Sequence, residues 1–523
     1  MFGFFTGARG NDRRLMKGAF AAAEATPDPM LAMLHLLGAC GSPDAAVAGR
    51  AGRELARRLG EVPLDRLAAF DERIRRTLQV ASYAPARLAL PRWIVDRDAV
   101  GRVRLSGEAA LPALAILSMH PSGYVRDDAV AALAAQEDGA ELPYLLLRAN
   151  DWVEPIRRRV WQVLHGRFPP RFAAAWVRLL PLLMRLEDAR RGEYGPVVVR
   201  RVLDELAERP ECRPALMAGL ASADRVVRRT CFRTLARASK PADAVRIGLA
   251  NDDPVVRLQA AREVERLKPD ELAAIVPVML LDRFVAVRTV AAIFAERAGD
   301  LALLRAAALD ASATPRGIAA AGLARRGMDV AALYRAAVDG DERTQVGAVA
   351  GLGERGAAAD AETVARFLEH AQGRVRAAAV EAYARLAREE ALPILARMLG
   401  DAAPSVSRAA MRALERRRMW VDPATLEALY APASPPHVRK NALRLMSRRG
   451  RWTGIVPVLR ALCDEDARIA DAARRHLRRW AQLQRSAFAS PTAEEHERFR
   501  DALDQHGGCI SDPALAAQLR AFR

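Results

Sequence analysis

A chain of 523 residues is too long to close around one compact core, so it must split into domains or repeat a small unit along its length. Alanine and leucine dominate, aromatics are only 5%, and no long β-branched alternating run appears; this argues against a β-rich body and for an all-helical one. Net charge is +18, and 77 of the 81 basic residues are arginine, the lysines being Lys17, Lys240, Lys268 and Lys440; the excess favours anionic partners through long-range attraction.

The chain opens on "MFGFFTGARGNDRRLMKG", which has no basic stretch followed by an apolar core. Residues 30–40, "MLAMLHLLGAC", end at Cys40 like a lipoprotein cleavage box, but the apolar run is short, is broken by His35 and suits an ordinary amphipathic helix. Residues 44–60 place Val47, Ala51 and Leu55 in helical register as one degenerate unit. "LPRWIVDRDAVGRVRLSGE", 90–108, is the least helical passage and predicts a short hairpin or an irregular loop. Residues 1–110 are therefore expected to form an N-terminal helical region.

From residue 111 a unit recurs. Its reference position, zero, is Val125, Ile156, Val199, Val227, Val256 and Val287, then Pro315, Thr344, Val375, Val406, Val438 and Ile469, mostly about 31 residues apart. Arginine follows in nine of the twelve: Arg126, Arg157, Arg200, Arg228, Arg257, Arg288, Arg316, Arg376 and Arg439. Alanine stands four residues after zero in nine units, and an apolar residue eight after zero in all twelve. Positions 0, 4 and 8 share one helical face, so each unit carries an amphipathic helix with a small residue where a neighbour approaches. Five residues before zero stand Asp151, Asp282, Asp310, Asp339, Asp401 and Asp464, a side chain that bonds to nearby backbone amides and starts or stops helices. His120 and His370 occupy that same turn position, which points to capping rather than chemistry. A second apolar helix precedes each turn. Neither helix can bury its face alone, and stacking solves that.

The turn Asp, the Val-Arg pair and the following Ala, as in Asp282, Val287, Arg288 and Ala291, resemble the HEAT-repeat family, and more narrowly the short repeats of phycobilisome-lyase-type proteins. The resemblance covers roughly residues 111–480. It implies an all-α fold, an α-solenoid of about 12 helix-turn-helix repeats, with the arginine after the valine lying between adjacent units and bonded to turn carboxylates or carbonyls. The repeat array is expected over 111–485. Residues 486–523 are expected to form a capping helix and tail, since "SPTAEEHERFRDALDQHGG" opens with acidic residues in its first turn. The 43-residue interval before Val199 predicts a longer first helix or a protruding loop near "EDARRGEYGP", and the units at Thr344, Val406 and Ile469, which lack the arginine, are expected to stack less regularly.

Little in the sequence points to catalysis. The five cysteines are scattered without a CxxC, so neither a disulfide framework nor a zinc site is expected, and a reducing, cytoplasmic location fits. No stretch approaches the ~20 apolar residues that span a bilayer, so no membrane partner is expected. The eight histidines form no HxxxH pair, no phosphate loop or nucleophile elbow is present, and "GLGERG", 351–356, suits a turn at a helix end. No cofactor or metal is expected. Some HEAT-like enzymes excise alkylated bases with an acid and aromatics, for which Asp151, Trp152 and Trp161 are the nearest candidates here; a lyase activity has only the family label behind it.

One constellation survives. Positions 2, 6 and 10 of the last three units read Arg408, Arg412, Arg416; Lys440, Arg444, Arg448; and Asp471, Arg475, Arg479. Stacking would align eight basic groups on a face that the resemblance makes concave. Residues 402–485 carry 18 basic and 7 acidic side chains, hence +11 of the chain's +18. A smaller cluster, Arg229, Arg233, Arg237, Arg262 and Arg266, lies earlier. Trp420 and Trp452 share the position fourteen after zero, and with Trp480 they suit packing between repeats more than base stacking. The expected function is a non-enzymatic scaffold or adaptor that binds a protein partner, an acidic one fitting the stripe best. Nucleic acid binding is the alternative, and a glycosylase or lyase on this frame comes third.

Overall fold

In eleven of the twelve units, position zero is the third residue of a helix; only Val199 sits deeper, in Tyr194–Glu208. The computed structural model describes residues 18–83, 88–103, 107, 110–187, 194–484 and 490–522. Among them there are helices and turns and no strand, so the chain is all-α, built of stacked helix-turn-helix pairs. Position zero is buried in eleven of the units and half-buried at Thr344, as the amphipathic pattern requires.

The chain forms two compact units, Met1–Leu272 and Ala273–Arg523. In the first, one apolar core runs from Ala19 to Ala260. Its N-terminal part is helical: Pro29–Cys40 is almost entirely buried, and Ala45–Gly60 lays Ala51 and Leu55 against it while Val47 is half-buried. Cys40 is fully buried at the end of that first helix. The 90–103 passage holds a 3-10 turn, Arg92–Val95, and a short helix, Ala99–Arg102, instead of a hairpin; Trp93 and Ile94 are buried there, so a single-turn wedge does the packing. The long interval contains two helices, Ala173–Arg178 and Leu180–Glu187, around the buried Trp176; the tip of the anticipated loop, 188–193, lies outside the described residues.

The second unit holds the last repeats and the cap. Its "GLGERG" segment is not a turn: Gly351 and Gly353 lie within the helix Glu342–Arg355, which Gly356 ends. A Cβ at Gly351 would meet the Tyr334 ring and one at Gly353 the backbone of Ala382, so these glycines serve close helix approach. Two of the three units that lack the arginine bond their own turn through a substitute side chain. Gln345 Nε2 donates to Val338 O at 3.0 Å, and buried Ser407 donates to Leu399 O at 2.6 Å while accepting from Asn441 at 2.8 Å. The cap helix Ala493–His506 starts with a reciprocal capping box between Thr492 and Glu495.

Candidate functional site

Which arginines are free can be settled only after the structural ones are removed. In six units the arginine after position zero uses Nη1 to donate to two carbonyls of its own turn, His120 and Pro121 for Arg126, for instance, at 2.9 Å each, and His370 and Ala371 for Arg376 at 2.8 and 3.0 Å. The same holds for Arg228, Arg257, Arg288 and Arg316. In Arg126, Arg288 and Arg376, Nε and Nη2 also reach the next repeat's turn. Arg126 grips Asp151 at 2.8 Å on both oxygens, Arg376 grips Asp401 at 2.9 and 2.8 Å, and Arg288 grips Asp310 at 2.6 and 3.1 Å. Arg439 bonds Asp464 at 3.0 Å. This planar fork tying one turn to the next is a use lysine could not match.

Two partners depart from the repeat. Arg228 takes Asp253, the residue capping the next helix, and Arg316 reaches Glu354 at the far end of its neighbour. Arg200 is exposed, unlike the other eight. The histidines at turn positions cap as expected: His120 Nδ1 accepts from Ser122 N at 2.9 Å, and His370 Nδ1 from Gln372 N at 3.2 Å. The early basic cluster is largely engaged as well, Arg229 with Asp253, Arg237 with Asp204 and Arg266 with Glu263.

Asp151, the nearest candidate for a catalytic acid, is fully buried between Arg126 and Arg148. Burial opposes its ionisation, but the bonds and charge of the two guanidiniums outweigh that and hold its carboxyl below the usual range. A carboxylate so engaged is not a free base. Trp152 lies under the Arg75 and Arg126 guanidiniums at 4.2 and 4.6 Å, while Trp161 packs on His165 and Phe168. No three His, Cys, Asp or Glu residues are grouped to hold a metal ion among the described residues.

What remains lies on the last three repeats, on the helices Pro404–Arg417, Pro436–Met446 and Ala467–Gln484. Six of the eight stripe residues, Arg408, Arg412, Lys440, Arg444, Arg448 and Arg479, line one groove of about 1070 Å³. Arg416 and Arg475 are exposed on the same helices but do not line it. Between the cations the groove wall is largely apolar, from Met411, Leu443, Val458 and Ile469, with Asn441 and Ser447 among them, while Arg468 adds a further cation and Asp466 one carboxylate. Arg444 grips Glu415 at 2.7 and 2.9 Å, Arg448 joins at 3.0 Å, and Arg416 stands 3.8 Å from Glu381. Burial opposes the charge on Glu415, yet the Arg444 bond and both neighbouring charges keep it ionised below the usual range. Arg408, Arg412, Lys440, Arg475 and Arg479 have no ion pair or hydrogen bond among the described residues. His476 lines the groove too, and burial with the Arg479 charge lowers its pKa, so it adds no positive charge at neutral pH.

Beside the groove, the cap is sealed by ring packing. Trp452 meets Trp480 edge-on at 5.2 Å and Phe499 at 5.4 Å, and Phe522 closes the cluster at 5.9 Å from Trp480. Trp452 and Trp480 thus pack between elements, as their spacing suggested. Trp420 does not; it is 59% exposed. The absence of a disulfide framework is also overturned in part: Cys463 and Cys509 form a bridge from the last repeat's turn to the end of the cap helix, while Cys40, Cys212 and Cys231 are free and buried. Forty-six residues separate the bridged pair, and only the folding back of the cap brings them together.

The fold and the turn ladder define a helical-repeat scaffold. Residues 361–432 match the family described as HEAT repeats, so the chain carries repeats of that family. No curated protein matches the chain in sequence. Among solved structures the chain is similar to Kap95p in its complex with RanGDP, at 13% identity and a TM-score of 0.34, covering 94% of this chain and 66% of that one. It is similar to Kap121p bound to Pho4p at 14% and 0.34, covering 97% and 62%, and to importin beta at 12% and 0.30, covering 94% and 83%. The chain spans just under two thirds of the first two. Likeness this distant says nothing of what this chain binds.

Proposed function

We propose that the chain is a non-enzymatic HEAT-repeat scaffold that holds a protein partner, and that its last repeats grip an acidic segment of that partner. Arg408, Arg412, Lys440 and Arg479 are the free stripe cations of the groove; Arg444 and Arg448 flank them, and Arg416 and Arg475 extend the charge beyond the rim. One observation carries the assignment: four unpaired stripe cations, with Arg468 beside them, stand over a largely apolar wall in a single groove that has one lining carboxylate, Asp466. An acidic protein segment satisfies both features, carboxylates on the cations and side chains on the wall. A phosphate backbone would leave the apolar wall uncovered. In domain terms, 1–110 is the N-terminal helical region, 111–485 the repeat array and 486–523 the cap.

Fluorescence anisotropy with a labelled Glu-rich peptide, a DNA duplex and a single strand, each across a salt series, tests the assignment. The peptide should bind and weaken with salt, and Arg412→Glu with Lys440→Glu should abolish binding. Nucleic acid binding more tightly than the peptide, or peptide binding indifferent to the double substitution, would overturn it. These two positions are chosen because Arg444 also holds Glu415.

We place the protein in the cytoplasm; no helix among the described residues is long and apolar enough to cross a membrane. The Cys463–Cys509 bridge tests that placement, because cytosolic thiols are kept reduced. Alkylating intact cells before lysis should find both thiols free, whereas a fully oxidised pair would move the protein to an oxidising compartment.

A further inference from the structure

Trp420 and Trp452 hold the same place in consecutive repeats, yet their fates differ. Trp452 is 7% exposed inside the ring cluster of the cap, whereas Trp420 is 59% exposed and has no ring partner or hydrogen bond among the described residues. It forms a wall of a second cavity, of about 270 Å³. Leu414, Val421, Leu426 and Leu445, all buried, contribute the apolar lining.

Local hydrogen bonds fix the loop that carries Trp420. Arg418 ends its helix in the left-handed region, at φ 54°, and Met419 N donates back to Leu414 O at 3.0 Å. Arg449 then donates to Val421 O at 2.8 Å and pins the returning loop. Arg448 lines both this cavity and the basic groove, its guanidinium kept in place by Glu415 at 3.0 Å. The two hollows therefore meet at one cation. The smaller lies below the ~300–1,000 Å³ of sites for drug-sized molecules, a scale that suits a single side chain.

We propose that this cavity is the anchor pocket of the groove: it takes one bulky apolar side chain, aromatic or leucine-like, carried by an acidic protein segment whose carboxylates lie along Arg412, Lys440 and Arg448. The assignment rests on the groove being an acidic-segment site and adds what selects one acidic segment over another. Charge alone draws in any polyanion; a desolvated apolar anchor discriminates.

Two labelled Glu-rich peptides of equal length and charge test it, one with a single central Phe and one with Ser in its place, titrated against the full chain and its variants. The Phe peptide should bind the unsubstituted protein about tenfold more tightly or better. Trp420→Ala should erase that advantage and leave the Ser peptide unchanged, and Trp420→Phe should restore part of it. Arg412→Glu with Lys440→Glu should weaken both peptides alike. Equal affinity for the two peptides, or a Phe advantage that survives Trp420→Ala, overturns the anchor pocket and leaves the groove standing. Binding of neither peptide overturns the groove, and the pocket falls with it.

Discussion

Arg126 in the first unit and Arg412 in the second are the same residue type on the same kind of helix, and they do opposite work. Arg126 follows position zero; its side chain is fully buried, bonded to two carbonyls of its own turn and to both oxygens of Asp151. Arg412 lies six residues after zero, is exposed, and meets no partner among the described residues. Five residues along an α-helix turn a side chain by about 140°, from the seam between repeats to the open face. Arginine content alone therefore says little about binding. Helical phase within the repeat separates charge consumed by the fold from charge left over.

The sharpest way to break the contrast is to truncate one residue of each kind. Arg126→Ala leaves Asp151 buried beside Arg148 alone and should cost about 3–5 kcal/mol of first-unit stability, read by chemical denaturation. Reducing the Cys463–Cys509 bridge, which spans 46 residues, should cost the cap about 4 kcal/mol by chain entropy. Hydrogen exchange over 493–506 should speed up with reductant while the Asp151 region stays protected.

The turn ladder should also carry its own pH signature. Burial, aided by the Arg126 charge, depresses the pKa of His120 from 6.5 to about 4. Because the folded value is the lower one, the contribution is complete above pH 6.5 and is lost as pH falls toward 4, by up to about 3 kcal/mol. Denaturation at pH 7 and pH 5 should show the loss, and His120→Asn, which keeps an acceptor for Ser122 N, should remove it. At the small end, Arg412→Glu should change stability by no more than about 0.5 kcal/mol, since it disturbs no bond. A large loss there would erase the distinction between the two sets.

The ladder was legible in the sequence because a fixed spacing repeats the same three groups, an apolar zero, an arginine and a turn acid. Its exceptions were not. Nothing in the spacing says that Arg228 will choose the capping residue Asp253, and only the packed neighbour shows Arg316 reaching Glu354. The stripe was legible as a row of eight, but the Glu415 side chain that ties up Arg444 and Arg448 sits seven residues beyond Arg408 on the preceding helix and is a cross-repeat contact. Trp420 and Trp452 are indistinguishable by register; the cap covers one and leaves the other bare. The break between Leu272 and Ala273 has no compositional mark, and the Cys463–Cys509 pair depends on where the cap folds.

With only four lysines in the chain, one of them in the groove, contact itself can be measured. Carbodiimide couples a carboxylate to a neighbouring amine, so treating the complex with a Glu-rich peptide and mapping the products by mass spectrometry reports where the acidic segment lies. Coupling concentrated on Lys440, with the exposed Lys240 and Lys268 of the first unit left unmodified, is the expected result. Equal coupling at all three, or none at Lys440, would contradict a groove built from spare charge.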